Sequence, residues 1–284
     1  MNPKPLFDLR KVIPFPLPTV TILDVGAAAL AGHAVAYQEL LSLGVGRVIG
    51  FEPDQAACAH LNASARPGDR YLPFAIGDGS AGVFRSCANP FTSSLLEPNA
   101  PLLDLFQTLP TACAVHGRTA LQTHRLDDLP EVAEADFLKM DVQGAEYHVL
   151  QGAQRLLERL VVIQTEVEFV PLYRDQPLFA DIDRSLRAAG FLFHRFLGMA
   201  GRPFSPFSLK EDSHKTISQQ LWSDAVYVRD FTRLDDWTAE QVLKMAIVLH
   251  TTYSSVDLAH LCLAAYDRKT KTALADAYLA AFSR

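Results

Sequence analysis

Carboxylates close several of the short apolar runs in this chain, and their spacing is the first sign of chemistry. Ile22, Leu23 and Val25 surround Asp24 and end at Gly26, and Val48, Ile49 and Phe51 end at Glu52. Phe137, Leu138 and Met140 carry Lys139 and Asp141 on one face, because strand side chains alternate. The run at 161–168 sets Gln164, Glu166 and Glu168 on one side, and carboxylates on a buried strand need a partner or a task. Glu52 at a strand end suits the two hydroxyls of a ribose. Asp24, two residues before a glycine, repels a pyrophosphate but suits an ammonium such as the aminoacyl end of S-adenosylmethionine. The turn Gly26-Ala27-Ala28-Ala29-Leu30-Ala31-Gly32 lacks the three-glycine spacing that seats a dinucleotide pyrophosphate on a helix N-terminus.

The elements that position these groups follow from the pattern. Residues 21–54 read as strand, turn, helix and strand, with Leu40, Leu41 and Leu43 in a short helix closing at Gly44. That is a parallel βαβ unit, whose ligand crevice lies beyond the carboxyl ends of the strands. Residues 71–76 read as a third strand, and Ile76, Gly77 and Asp78 then stand where an adenine would meet backbone and carboxylate; a plain turn is the alternative. Residues 86–117 lack periodicity, and a long irregular segment inside a compact domain is often a functional loop. Within it, residues 91–95 place hydroxyls beside Phe91. Helical spacing follows Gly144 and recurs at 179–189, and strands are expected at 191–196 and 224–229.

At 284 residues the chain is long enough for one large α/β domain with an addition. Residues 1–19, with five prolines, read as an extended arm, 20–230 as the α/β domain, and 231–284 as a C-terminal helical appendage. In that appendage Thr238 and Gln241 form a capping-box pattern, and three amphipathic stripes follow. They suit packing on the domain or on one another, with a homodimer contact as the second reading. The net charge of −6 without a basic run argues against nucleic acid as a partner. Four scattered cysteines, no apolar stretch long enough for a bilayer and no signal-peptide pattern in 1–18 give a cytoplasmic expectation. Neither cysteines nor histidines show metal-ligand spacing, so no metal is expected.

Asp24-Val25-Gly26-Ala27, Phe51-Glu52-Pro53, Leu126-Asp127-Asp128-Leu129 and Leu138-Lys139-Met140-Asp141-Val142-Gln143-Gly144-Ala145-Glu146, with Leu150 and Gly152, together resemble the FkbM family of S-adenosylmethionine-dependent methyltransferases. The resemblance implies a class I methyltransferase fold, a Rossmann-like, seven-stranded, mostly parallel sheet with helices on both faces. It also implies O-methylation of a sugar or polyketide hydroxyl. Ala28 and Leu30 stand where the family's turn has Asn and a second glycine, and Gln143 where it has Glu. Cofactor contacts are expected from Asp24, Gly26, Ala27, Glu52, Ile76, Gly77, Asp78 and Asp141. For the acceptor proton, Asp141 and Glu166 are the candidates, with Lys139 orienting Asp141. The altered turn and Gln143 also motivate a different class of function, a non-catalytic S-adenosylmethionine-binding protein. A nicotinamide oxidoreductase is the third reading and lacks its turn.

Overall fold

A computed structural model of the chain describes residues 7–27, 35–209 and 212–282. Six residues of the arm (1–6) and residues 28–32 of the first turn, including Ala28, Leu30 and Gly32, lie outside the described residues. The βαβ unit forms as the pattern predicts: β1 (Val20–Val25), α1 (Gln38–Ser42) and β2 (Gly46–Phe51), with the two strands parallel. After α2 (Gln55–Ala63) the third strand is shorter than expected, β3 (Arg70–Leu72), and Ile76 makes only an isolated parallel bridge to His124.

After β3 the chain forms an element that periodicity did not reveal. β4 (Ala81–Cys87) and β5 (Val115–Gln122) form a separate antiparallel pair. The segment joining them carries α3 (Ala100–Leu103) and α4 (Leu109–Ala112). These strands are mostly exposed or half-exposed, and Gly82, Gly117 and Arg118 interrupt any apolar alternation, so the sequence signal of a half-buried strand is missing.

The remaining elements are β6 (Phe137–Met140), α5 (Glu146–Gln151), β7 (Val162–Glu168), α6 (Phe179–Ala188), β8 (Phe191–Phe196), β9 (Trp222–Arg229), α7 (Ala239–Tyr253), α8 (Val256–Thr270) and α9 (Leu274–Phe282). The main sheet has seven strands in the order β3-β2-β1-β6-β7-β9-β8. β9 runs antiparallel to both neighbours, and every other pairing is parallel. This is the class I methyltransferase arrangement, and its strand order reverses between β1 and β6. One face packs on α5 and α6 through Val149, Leu150, Ile182 and Leu186. The other packs on the C-terminal helices.

Those helices form one core with the sheet. Thr238 accepts from the Gln241 N–H and completes the expected capping box, but α7 is not the one-sided stripe the spacing predicts. Every residue from Val242 to Tyr253 is buried, because the sheet lies on one side and α8 on the other. Lys244 Nζ lies 3.1 Å from both carboxylate oxygens of Asp136, whose Oδ2 also accepts from the Thr21 N–H at the start of β1. The described part of the arm is a short 3-10 turn, Leu9–Lys11, with Leu9, Val12 and Ile13 buried in the same core.

Two outcomes follow from this packing. A chain ending at Asp230 exposes the apolar face of β1, β6, β7 and β9, and should be recovered insoluble; a soluble, monodisperse product with native circular dichroism would show that the helices merely decorate the sheet. Lys244→Ala strands a buried carboxylate and should cost on the order of 3 kcal/mol, read as a lower urea midpoint at unchanged slope.

Candidate functional site

A cleft with about 840 Å³ of empty space opens where the strand order reverses. Its wall includes Gly26, Glu52, Ile76 and Asp141, four of the residues the sequence singled out. Gly26 has φ +83°, and a Cβ there would lie 2.0 Å from the Asp141 carbonyl oxygen. Only glycine lets the end of β1 pass so close to the turn after β6. Glu52 accepts from the Asp54 N–H through Oε1 at 2.9 Å, which fixes its side chain at the end of β2. Burial raises the Glu52 pKa, opposed by that N–H and assisted by the Asp54 charge. Phe74 and Phe84 add an aromatic wall, and Phe91, Ser93 and Leu95 of the irregular segment also line the cleft. Part of the irregular segment at 86–117 therefore borders the cleft.

The other expected contacts sit elsewhere. Asp24 is 4% exposed and lies beneath the wall rather than on it. Its Oδ2 accepts from Tyr37 OH at 2.6 Å, and its Oδ1 lies 3.3 Å from Lys139 Nζ, so its cation in this structure is a side chain of the next strand. The Ala27 N–H donates to Phe51 O, and the Gly77 N–H to His124 O. Asp78 turns to Ser80, accepting from both its N–H and its hydroxyl, and these bonds lower the Asp78 pKa. Ala27, Gly77 and Asp78 are not among the described residues of the wall.

The carboxylates of β6, β7 and β9 come together at the same sheet edge. Asp141, with a side chain 41% exposed, has Lys139 Nζ 3.8 Å away. Burial alone would lower the Lys139 pKa, but Asp24 and Asp141 outweigh it and hold the ammonium above its usual range. Glu166 is half-buried and stands behind Gln143, whose Nε2 donates to Glu166 Oε2 at 2.6 Å and to Asp141 Oδ1 at 2.8 Å. The expectation that Glu166 faces the crevice directly is thus corrected: among the described residues of the wall, Asp141 and Gln143 stand there and Glu166 does not. Desolvation pushes Glu166 well above the usual carboxylate range, with Asp141 and Glu168 adding to it. Glu168, 3% exposed, is raised in the same way by burial, Glu146 and Asp141. Asp224 lies opposite Glu166 in the β7–β9 pairing, and burial and then Asp141 raise it.

Sequence reasoning passed over Tyr37, Asp224, Tyr173 and the Phe74–Phe84 wall. Asp224 became visible only through the antiparallel register of β9, and Tyr173 only through its hydroxyl, which donates to Thr92 O at 2.9 Å. His194 pairs with Ser255 and His124 lies against the Phe74 ring, so neither reaches the cleft wall. Among the described residues no group of three or more His, Cys, Asp or Glu is placed to hold a metal ion, and no helix is long and apolar enough to cross a membrane.

The methyltransferase FkbM domain family matches residues 24–193. A 2-O-methyltransferase, NoeI, of Sinorhizobium fredii is 30% identical over 152 residues, which cover 47% of this chain and 58% of that relative. The crystal structure of a magnesium protoporphyrin IX methyltransferase from Synechocystis PCC 6803 aligns at 12% identity and a TM-score of 0.38, over 75% of this chain and 71% of that one. A putative methyltransferase from Thermoplasma acidophilum aligns equally, over 75% and 70%.

The buried acids predict a pH dependence. Burial raises the Glu146 pKa from 4.5 to about 7, although the Val142 N–H bonds its Oε1. The folded state thus holds this proton more tightly than the unfolded chain. Stability contributed by the protonated group is complete below pH 4.5 and is lost as pH rises through about 7. Glu146→Gln keeps an acceptor for Val142 and should flatten the stability profile between those limits by a few kcal/mol. Urea denaturation at pH 4.5 and 8 reads the difference; the same change in stability between the two pH values in both proteins would show that folding does not raise the Glu146 pKa.

Proposed function

The chain belongs to the FkbM methyltransferase family, and from that premise we propose that it transfers the methyl group of S-adenosylmethionine to a hydroxyl oxygen of a sugar, glycan or polyketide-type acceptor. One observation carries the reading. Gly26, Glu52 and Asp141, from three different strand ends, border a single cleft at the point where the strand order reverses.

The residues fit the donor. Glu52 suits the ribose hydroxyls, Ile76 and Phe74 give an apolar wall for a flat base, and the backbone at Gly26 allows close approach to the remainder. When bound, S-adenosylmethionine supplies an electrophilic methyl on a sulfonium. The chain's own part is to align the acceptor oxygen and to receive its proton. Glu52 and Asp141 are the carboxylates of the described wall, and with Glu52 given to the ribose we assign Asp141 that contact. Lys139 orients Asp141, and Glu166 acts on it through Gln143. Asp24, Ala27, Gly77 and Asp78 then hold the turns that carry the donor site rather than the donor itself.

The relative that acts as a 2-O-methyltransferase favours a sugar-like hydroxyl acceptor. Radiolabelled methyl donor incubated with a panel of oligosaccharides and polyketides tests this directly. Label in an O-methyl ether is expected; donor bound without label in any acceptor would instead favour the non-catalytic binding protein. Glu52→Ala removes a charge-assisted pair of hydrogen bonds, each worth about 1.5–3 kcal/mol at most, and should weaken S-adenosylhomocysteine binding by tenfold or more. Calorimetry giving unchanged affinity would remove Glu52 from the site.

A further inference from the structure

Gln143 stands at the tip of the turn after β6 with φ +55°, followed by Gly144 at +93°. A glutamine gains nothing from that left-handed conformation, which glycine or asparagine adopts more readily. Its side chain supplies the reason for its presence. Nε2 spends its two hydrogens on two carboxylates of adjacent strand ends, Asp141 Oδ1 at 2.8 Å and Glu166 Oε2 at 2.6 Å. Its backbone oxygen accepts from Ser94 Oγ at 2.6 Å, and Ser94 is buried in the segment that lines the cleft. Tyr173 OH lies 3.4 Å from its Oε1 and donates to Thr92 O in the same segment.

Two ionised carboxylates are acceptors only, and they repel. A neutral amide with two hydrogens is the side chain that satisfies both without adding charge. A carboxylate at this position would make a third acceptor and a third negative charge. The charged and titratable groups around it are Lys139 and Asp141 at β6, Glu146 on α5, Glu166 and Glu168 on β7, Asp224 on β9 and the Tyr173 hydroxyl. Only Lys139 among them is a cation.

We propose that Gln143 is a positioning residue that clamps Asp141 and Glu166 into one pair beside residues 90–95, so that the seating of this segment at the cleft is linked to the charge of the pair. The task of the pair, acceptor alignment, rests on the methyltransferase reading; the linkage does not.

Hydrogen exchange of the Ser94 and Leu96 amides, corrected for intrinsic rate, tests it between pH 5.5 and 8. These N–H groups bond Arg85 O and Ser94 Oγ. In the unaltered protein protection should be flat with pH. In Gln143→Glu it should be kept at pH 5.5, where carboxyl protons replace the amide hydrogens, and fall at least tenfold by pH 8. Gln143→Asn, neutral but too short to bridge, should lose protection about tenfold at every pH. Adding Glu166→Gln to Gln143→Glu restores the original count of carboxylates and should reduce the pH response. Protection of the Ile163 and Thr165 amides in β7 reports the fold. A flat Gln143→Glu profile within twofold of the original, or no loss in Gln143→Asn, would overturn the proposal; so would a fall in β7 equal to that at Ser94, which marks general destabilisation. S-adenosylhomocysteine calorimetry runs alongside: failure to bind removes the methyltransferase reading and leaves the exchange result standing.

Discussion

The Lys139 ammonium is the interaction on which the centre of this structure depends. β1 and β6 are adjacent and parallel, with Asp24 paired against Lys139 in register, and Asp141 follows on the same face. A carboxylate as buried as Asp24 is tolerated beside a fixed cation and a hydroxyl donor, and both are present. Removing one member of such a pair costs far more than the pair itself contributes, because an uncompensated charge stays behind. Lys139 therefore ties the end of β1 to Asp141 of the cleft wall, whereas Glu166 and Glu168 form no ion pair among the described residues and burial raises their pKa.

The packing of α7 connects these strands to the rest of the chain. Tyr253, at the end of this helix, donates its hydroxyl to Gln164 Oε1 on the β7 face that continues into Glu166 and Glu168. Lys244, about two and a half turns earlier, holds Asp136 at the entry to β6. One helix thus touches the chain before β6 and the face of β7 that carries Glu166 and Glu168. Three stripes of apolar residues mark these helices only as packing surfaces, and this contact joins the end of α7 to the polar face of β7.

Much of the fold was legible because it rests on local signals. The β1–α1–β2 unit shows in its apolar runs and in Gly44. The α7 start shows in Thr238 and Gln241, and the end of α6 in Gly190 at φ +84°. What was not legible depends on register between distant strands or on exposed backbone pairing. β4 and β5 pair through main-chain hydrogen bonds with few buried side chains, and such strands leave no hydrophobic period. At the site, strand ends identified Gly26, Glu52 and Asp141, but the sequence could not say which strand-end carboxylates face outward and which are consumed. Asp24 was consumed by Tyr37, 13 residues further along the chain. Several motif blocks also proved to be scaffolding. Asp127 accepts from the Arg155 and Leu156 N–H groups, and a Cβ on Gly152 would lie 2.0 Å from Gly77 O.

These placements bear on which acid meets the acceptor. Desolvation raises the Glu166 pKa well above the usual carboxylate range, which makes it a better base, whereas Asp141 has the exposed position. Geometry comes first, because a base must lie within hydrogen-bond reach of the proton it takes. Between Glu166 and the cleft stands the Gln143 amide, which donates to both carboxylates and does not readily pass a proton from one to the other. The two requirements thus fall on different residues, one with position and one with basicity. An arrangement that separates them in this way supports a division of labour in which Asp141 contacts the acceptor while Glu166, through the shared amide, adjusts the charge and direction of Asp141. Methyl transfer tolerates such a division, since alignment of the acceptor oxygen with the methyl supplies much of the rate and proton removal need only keep pace with bond formation.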